Sequence, residues 1–178
     1  MGYDLYVRIL NEAVLEERGE KIEAKQDSVV ELKVNAHIPE HYISASAHRM
    51  EMYKKISLIT CEEDCEDIYD ELLDRYGNPP RPVERLLEVA LAKAVAEQIG
   101  FTKVEARGDT LIFNVGRPDL ALWSELFSKY KGMRFAPSGD SVTYRFTGGE
   151  PSRAAKSVLT DYYNAYKQEI SGGNKNNE

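Results

Sequence analysis

Cysteine is almost absent from this 178-residue chain: there are two, Cys61 and Cys65. A disulfide framework is therefore not what holds the fold. Two thiols four residues apart read as small core residues in a reducing compartment, and the expected location is cytoplasmic. Histidine is nearly as scarce. The set His37, His41, Cys61 and Cys65 has loose metal-ligand spacing, but Pro39 separates the histidines and keeps them off one regular helical face. No metal or other cofactor is expected. No apolar run approaches the roughly 20 residues of a membrane span. The first residues read as an amphipathic helix, not as a signal peptide. A basic stripe is also missing. With net charge −7 and pI about 5.1, the chain is ill suited to grip a nucleic-acid backbone by itself. Gly148-Gly149 lacks the Lys-Ser/Thr that completes a phosphate loop, and no nucleophile elbow is present. Nothing here is a positive sign of an enzyme.

What is present is an ordinary globular composition, 42% hydrophobic and 30% charged, long enough for one medium domain with a real core. Tyr3 to Glu17 reads as a helix, with Leu5, Tyr6, Ile9, Leu10, Ala13 and Val14 as its stripe. Gly19 to Ser28 is polar and turn-like, which predicts a mobile linker over residues 18–28. Val29 to Ala36 alternates as a strand does. Tyr42 to Ile59 is predicted helical, with Ile43, Met50, Tyr53 and Ile56 inward. A second helix runs from a capping box at Thr60/Glu63 to Gly77. A third, Val83 to Ile99, follows prolines that suit a first turn. The period then changes. Thr102 to Arg107 and Thr110 to Val115 flank a Gly108-Asp109 turn. Pro118 to Tyr130 is helical. Met133 to Ala136 and Ser141 to Phe146 form a second hairpin, and Pro151 to Ile170 a last helix. Residues 171–178 have the composition of a disordered tail. The fold class is α+β: an N-terminal helical half, then a small antiparallel sheet of hairpins backed by helices.

The helix ending at Gly77 carries the most information. Cys61, Cys65, Ile68, Tyr69, Leu72 and Tyr76 fall on one side. Glu63, Asp67, Asp70 and Asp74 fall on the other, flanked by Glu71. Acids in the first turn complement the helix dipole. Asp70, Glu71 and Asp74 lie in the last two turns, where the dipole favours cations. Like charges at i,i+4, such as Asp70/Asp74, cost about 0.2–0.5 kcal/mol each. A solvated face would tolerate that cost. The alternative is a docking surface for Arg or Lys on a partner. Acid/base catalysis by these carboxylates would need a pocket to split their pKa values.

Several blocks resemble, in order and spacing, the C-terminal domain of the bacterial transcription-repair-coupling factors. They are Gly2-Tyr3-Asp4-Leu5-Tyr6 with Leu10, Glu12, Ala13 and Val14; Ala36-His37-Ile38-Pro39 with Tyr42-Ile43; Arg49 with Tyr53-Lys54-Lys55-Ile56; and Glu71-Leu72-Leu73-Asp74-Arg75-Tyr76-Gly77 with Pro80 and Val83. The resemblance covers about residues 2 to 100. It implies a regulatory domain over residues 2–170, cut from a long ATP-driven DNA translocase that removes stalled RNA polymerase and recruits the excision-repair protein UvrA. In that family the domain packs on a UvrB-like module of the same protein and masks the UvrA-binding surface. RNA polymerase and DNA are then met by the parent protein, not by this domain. The implied partner-binding residues are Glu71 and Asp74, with Asp67 and Asp70 beside them. Arg49 and Arg75 are implied as hydrogen-bonded anchors between helices. One stretch departs from the family: Ser44-Ala45-Ser46-Ala47-His48 is small and nearly neutral where the family is acidic. Docking on RNA polymerase or another repair protein is the alternative use of the same face.

Overall fold

The computed structural model describes residues 27–173. The predicted first helix, nearly all of the predicted linker and the last five residues lie outside that range. Within it the order is β1 (Val29–Glu31), α1 (Ser46–Ser57), α2 (Glu62–Tyr76), α3 (Arg81–Ile99), β2 (Lys103–Arg107), β3 (Thr110–Asn114), α4 (Leu120–Lys129), β4 (Met133–Phe135), β5 (Ser141–Arg145) and α5 (Pro151–Gly173). A helical half therefore precedes a sheet backed by helices, as the α+β reading requires.

The sheet has five strands in the order β1-β2-β3-β5-β4. Both predicted hairpins form, β2 with β3 and β4 with β5, and β3 pairs with β5 to join them. The sheet is mixed, because β1 lies parallel to β2, Val30 opposite Val104. A strand that returns in parallel needs a long crossover, and the three helices supply it. β1 is shorter than the alternation of Val29 to Ala36 suggests. Lys33 takes a φ of 53°, a conformation that ends an extended run. The inward period nonetheless persists, with Leu32 buried and Val34 and Ala36 half-buried.

α1 begins at Ser46 rather than Tyr42. Before it, the amides of Tyr42 and Ile43 both donate to the Pro39 carbonyl, forming a turn. This sets the phase of the helix by Met52 and Ile56, which are buried, and leaves Met50 exposed instead of inward. α3 is the central helix: Val83, Leu86, Leu87, Val89, Ala90, Leu91, Ala92, Val95 and Ala96 are all buried. It packs mainly along α5. Gly100 ends it in the left-handed region, at φ 79°. At the sheet end the core is aromatic. Trp123 is fully buried, with Phe101 stacked on it at 5.9 Å between centroids and Tyr162 at 4.8 Å. Leu120, at the start of α4, stands 67% exposed and takes no part in this core.

Candidate acidic docking surface

α2 starts one residue later than the capping box Thr60/Glu63 predicts. The carboxylate that closes its first turn belongs to Asp64. Asp64 Oδ2 accepts from the Thr60 amide at 2.8 Å, the Thr60 hydroxyl at 2.7 Å and the Cys61 amide at 3.2 Å. These bonds, those from Thr60 foremost, hold its carboxyl below the usual range. Glu63 is thereby left outside the cap. At the other end Gly77, at φ 82°, donates its amide to the Leu73 carbonyl and stops the helix.

The inner face is anchored as its residue types require. Leu72 is fully buried and Cys65 nearly so. Burial pushes the Cys65 thiol up to about 11. Tyr42 donates its hydroxyl to the carbonyls of Leu72 (3.2 Å) and Gly77 (2.8 Å), and its ring meets Tyr76 edge-on at 6.0 Å. Tyr53 accepts the Ile38 amide at 2.8 Å, which ties α1 to the loop after β1. Arg49 Nη1 donates to the carbonyls of Ile43 and Ser44, both at 2.8 Å. Arg49 thus braces the turn before its own helix and not a neighbouring helix. Arg75 does link two helices, as the resemblance implies.

That link is part of a closed ring of four charges between α1 and α2. Lys55 Nζ lies 2.6 Å from Glu71 Oε1 and 3.4 Å from Glu51 Oε1. Arg75 Nη1 lies 2.6 Å from Glu71 Oε1 and 3.0 Å from Glu51 Oε1. Lys55 also reaches the second Glu71 oxygen, at 2.8 Å. Hydrogen bonds from Lys55, then Arg75, lower the Glu71 pKa, and those from Arg75, then Lys55, lower that of Glu51. The guanidinium also sits 5.0 Å over the Tyr76 ring.

The four predicted site residues therefore divide. Glu71 is half-buried and ion-paired within the chain. Asp67, Asp70 and Asp74 are exposed and make no ion pair or hydrogen bond among the described residues. Together with Glu63 and Glu66 they form the crest of α2, opposite Leu72. Leu73, 40% exposed, flanks that crest. The ring itself was readable in principle. Glu51-x3-Lys55 and Glu71-x3-Arg75 are both favourable i,i+4 pairs on successive helices.

A second polar cluster was not anticipated. Glu150, just before α5, accepts from Arg85 Nε at 2.8 Å and from Arg81 Nη2 at 2.6 Å. Ser152, fully buried, donates to Glu88 Oε2 at 2.6 Å. This latch ties the start of α5 to the first turns of α3. Among the described residues no three His, Cys, Asp or Glu side chains converge as metal ligands, and no helix is long and apolar enough to cross a membrane. His37, His41, Cys61 and Cys65 accordingly form no cluster.

The family model for the TRCF domain matches residues 32–121. The transcription-repair-coupling factor of Staphylococcus epidermidis is 38% identical over 113 residues, 62% of this chain and 10% of that protein. That of Bacillus subtilis is 35% identical over 99 residues, 55% of this chain and 8% of that protein. The chain thus spans about a tenth of the length of these relatives. Among solved structures, the C-terminal domain of transcription-repair coupling factor superimposes with a TM-score of 0.69, covering 85% of this chain and 99% of that domain. At 23% identity this likeness speaks for the fold.

Proposed function

The chain belongs to the TRCF domain family, and from that premise we propose that it is a non-catalytic, autoinhibitory interaction domain. It docks through the acidic crest of α2 on the UvrB-like module of its parent transcription-repair-coupling factor and masks the surface that receives UvrA. The parent's motor translocates on DNA and displaces stalled RNA polymerase, whereas this domain regulates access to repair. The observation that carries the reading is the crest itself. Asp67, Asp70 and Asp74 project from one helix with no cation inside the described chain to meet them. Like charges repeated along a helix are unfavourable by themselves, and a partner's Arg or Lys relieves them. Because the crest is convex and exposed, it suits a flat contact better than it suits proton transfer in a cleft.

Exposed charge pairs contribute about 0.2–1 kcal/mol each, and pairs desolvated at the centre of a contact about 1.5–7 kcal/mol. A few such pairs hold a tethered domain in place. A few kcal/mol of differential binding elsewhere in the parent then releases it as a shift between two populations. The test is binding of this chain, added in trans, to the purified UvrB-like module at low and high salt. Wild type is expected to bind in a salt-sensitive manner and to compete with UvrA. Asp70→Lys/Asp74→Lys is expected to bind at least tenfold more weakly and to leave UvrA access open. A charge-reversed variant that docked as well as wild type would overturn the role of the crest. Capture of RNA polymerase instead of the module would move the proposal to that partner.

A further inference from the structure

The sheet meets the helices with one side only. Phe113 rests on Trp123, Phe135 on Phe127 and Tyr144 on Tyr130, all from that inner side. Side chains alternate along a strand, so Arg107, Arg134 and Arg145 point from the opposite side, and all three are exposed. Register brings them together. Arg107 and Arg145 both pair with Thr110, one from each neighbouring strand. Two strand spacings then separate their backbones, about 10 Å. Arg134 pairs with Thr143, two residues before Arg145 on the same side. A diagonal neighbour of that kind lies about 7–8 Å away. Asp109 holds Arg145 through Nε, at 2.7 Å, and leaves both terminal nitrogens for a ligand. Arg107 gives Nη2 to Glu105 at 2.9 Å and keeps Nη1. Arg134 makes no ion pair or side-chain hydrogen bond among the described residues. The sequence hides this group, because the three arginines come from three strands and only pairing gathers them. The acids lie elsewhere: residues 27–99 carry a net charge of −7 and residues 100–150 one of +1.

We infer that this arginine arc on the open side of the sheet is an auxiliary contact for the phosphate backbone of duplex DNA. Guanidinium groups match phosphate oxygens two at a time. Thr110, Thr143 and Asn114, on the same side, are of the kind that donates to phosphate and sugar. A protein partner would call for an apolar centre, and Ile112 is the one apolar side chain that β2, β3, β4 and β5 turn outward. Contacts with nucleic acid are instead polar and positive. A single strand would need aromatic rings to stack on, and these four strands turn none outward. The resemblance gives DNA to the parent's motor alone; the arc gives this domain a share. Three phosphate contacts are weak in isolation. Tethering to a motor already on the duplex raises their effective concentration.

The test is fluorescence anisotropy of a short labelled duplex of arbitrary sequence with the full 178-residue chain, between about 50 and 200 mM salt. Thermal melting is recorded for every variant. Wild type is expected to bind weakly at the lowest salt, with log K falling against log salt at a slope of about −2.7, as for three phosphates. Arg134→Gln removes no contact of the fold. It is expected to weaken binding about two- to fivefold and to flatten the slope by about 0.9. Arg107→Gln/Arg134→Gln/Arg145→Gln is expected to abolish binding without lowering the melting temperature by more than a few degrees. Lys54→Gln on α1, with the same loss of charge, is expected to bind as wild type does. No binding by wild type at low salt would overturn the inference, and so would Arg134→Gln and the triple variant binding as wild type does. Binding of a hexa-glutamate peptide as tightly as the duplex, with the same dependence on the three arginines, would reassign the arc to an acidic protein and overturn the DNA contact. None of these variants touches the crest of α2, so docking on the UvrB-like module and the duplex contact succeed or fail separately.

Discussion

Cys61 and Cys65 stand one helical turn apart yet differ in chemistry. Cys65 is buried against α3, its thiol donating weakly to the Leu87 carbonyl, and burial raises its pKa to about 11. Cys61 is half-buried at the head of α2. Because the thiolate is the nucleophile, iodoacetamide at pH 8 is expected to label Cys61 in the folded protein and spare Cys65. Labelling of both should appear only after denaturation, which mass spectrometry of the peptides can read. Equal labelling in the folded state would show that α2 opens readily. This is also the scale at which the sequence was least explicit. The helical period places Asp70, Glu71 and Asp74 together, but it does not say that α1 approaches on the Glu71 side and brings Lys55. Met50 and Met52 pose the same problem: both are apolar, and only the true start of α1 decides which one faces the core.

Among the elements, α5 is fastened most visibly. Its first turn meets α3 through Arg85, Arg81 and Glu150. Hydrogen bonds from Arg85 and then Arg81 lower the Glu150 pKa from 4.5 to about 2. The sign follows directly. A carboxylate whose pKa is depressed by folding stabilises the fold above its unfolded value and loses that contribution as pH falls through its folded value. Wild type should therefore exceed Glu150→Gln in stability at pH 6, with the difference vanishing between about pH 4.5 and about pH 2. Urea titrations across that range would measure it, and a gap independent of pH would show that the latch works through packing. Most element boundaries were legible because local rules set them. Gly77 and Gly100 stop helices, Gly108 turns a hairpin, and Asp119 caps α4 by accepting the amides of Ala121 and Leu122. The alternation over Val29–Ala36 exceeds β1 because it reports which side chains face inward, not whether the backbone pairs. Leu32 and Val34 keep the inward period after Lys33 has ended the strand.

For the molecule as a whole, the helical half and the sheet share one hydrophobic core that runs from Met52 and Leu72 through α3 to Trp123. Trp123→Ala is expected to cost about 3–5 kcal/mol in chemical denaturation, by creating a cavity among Phe101, Phe113 and Tyr162. A much smaller loss would mean that the aromatic end of the core collapses around the gap. That helices precede hairpins was plain from the change of period after Gly100. That β1 pairs across the whole helical segment with β2 of the first hairpin was not, because no local pattern encodes a partner so far along the chain.

That parallel pairing has a consequence for how the chain reaches its fold. Ser28 donates its hydroxyl to the Phe101 carbonyl, a partner 73 residues away in sequence. The hairpins β2–β3 and β4–β5 close over short loops, whereas β1 has no nearby partner to reward its ordering. β1 is then a seam that can close only once β2 has been made and the three intervening helices bring the two strands together. A chain emerging from the ribosome must hold its first described strand unpaired until β2 has been made.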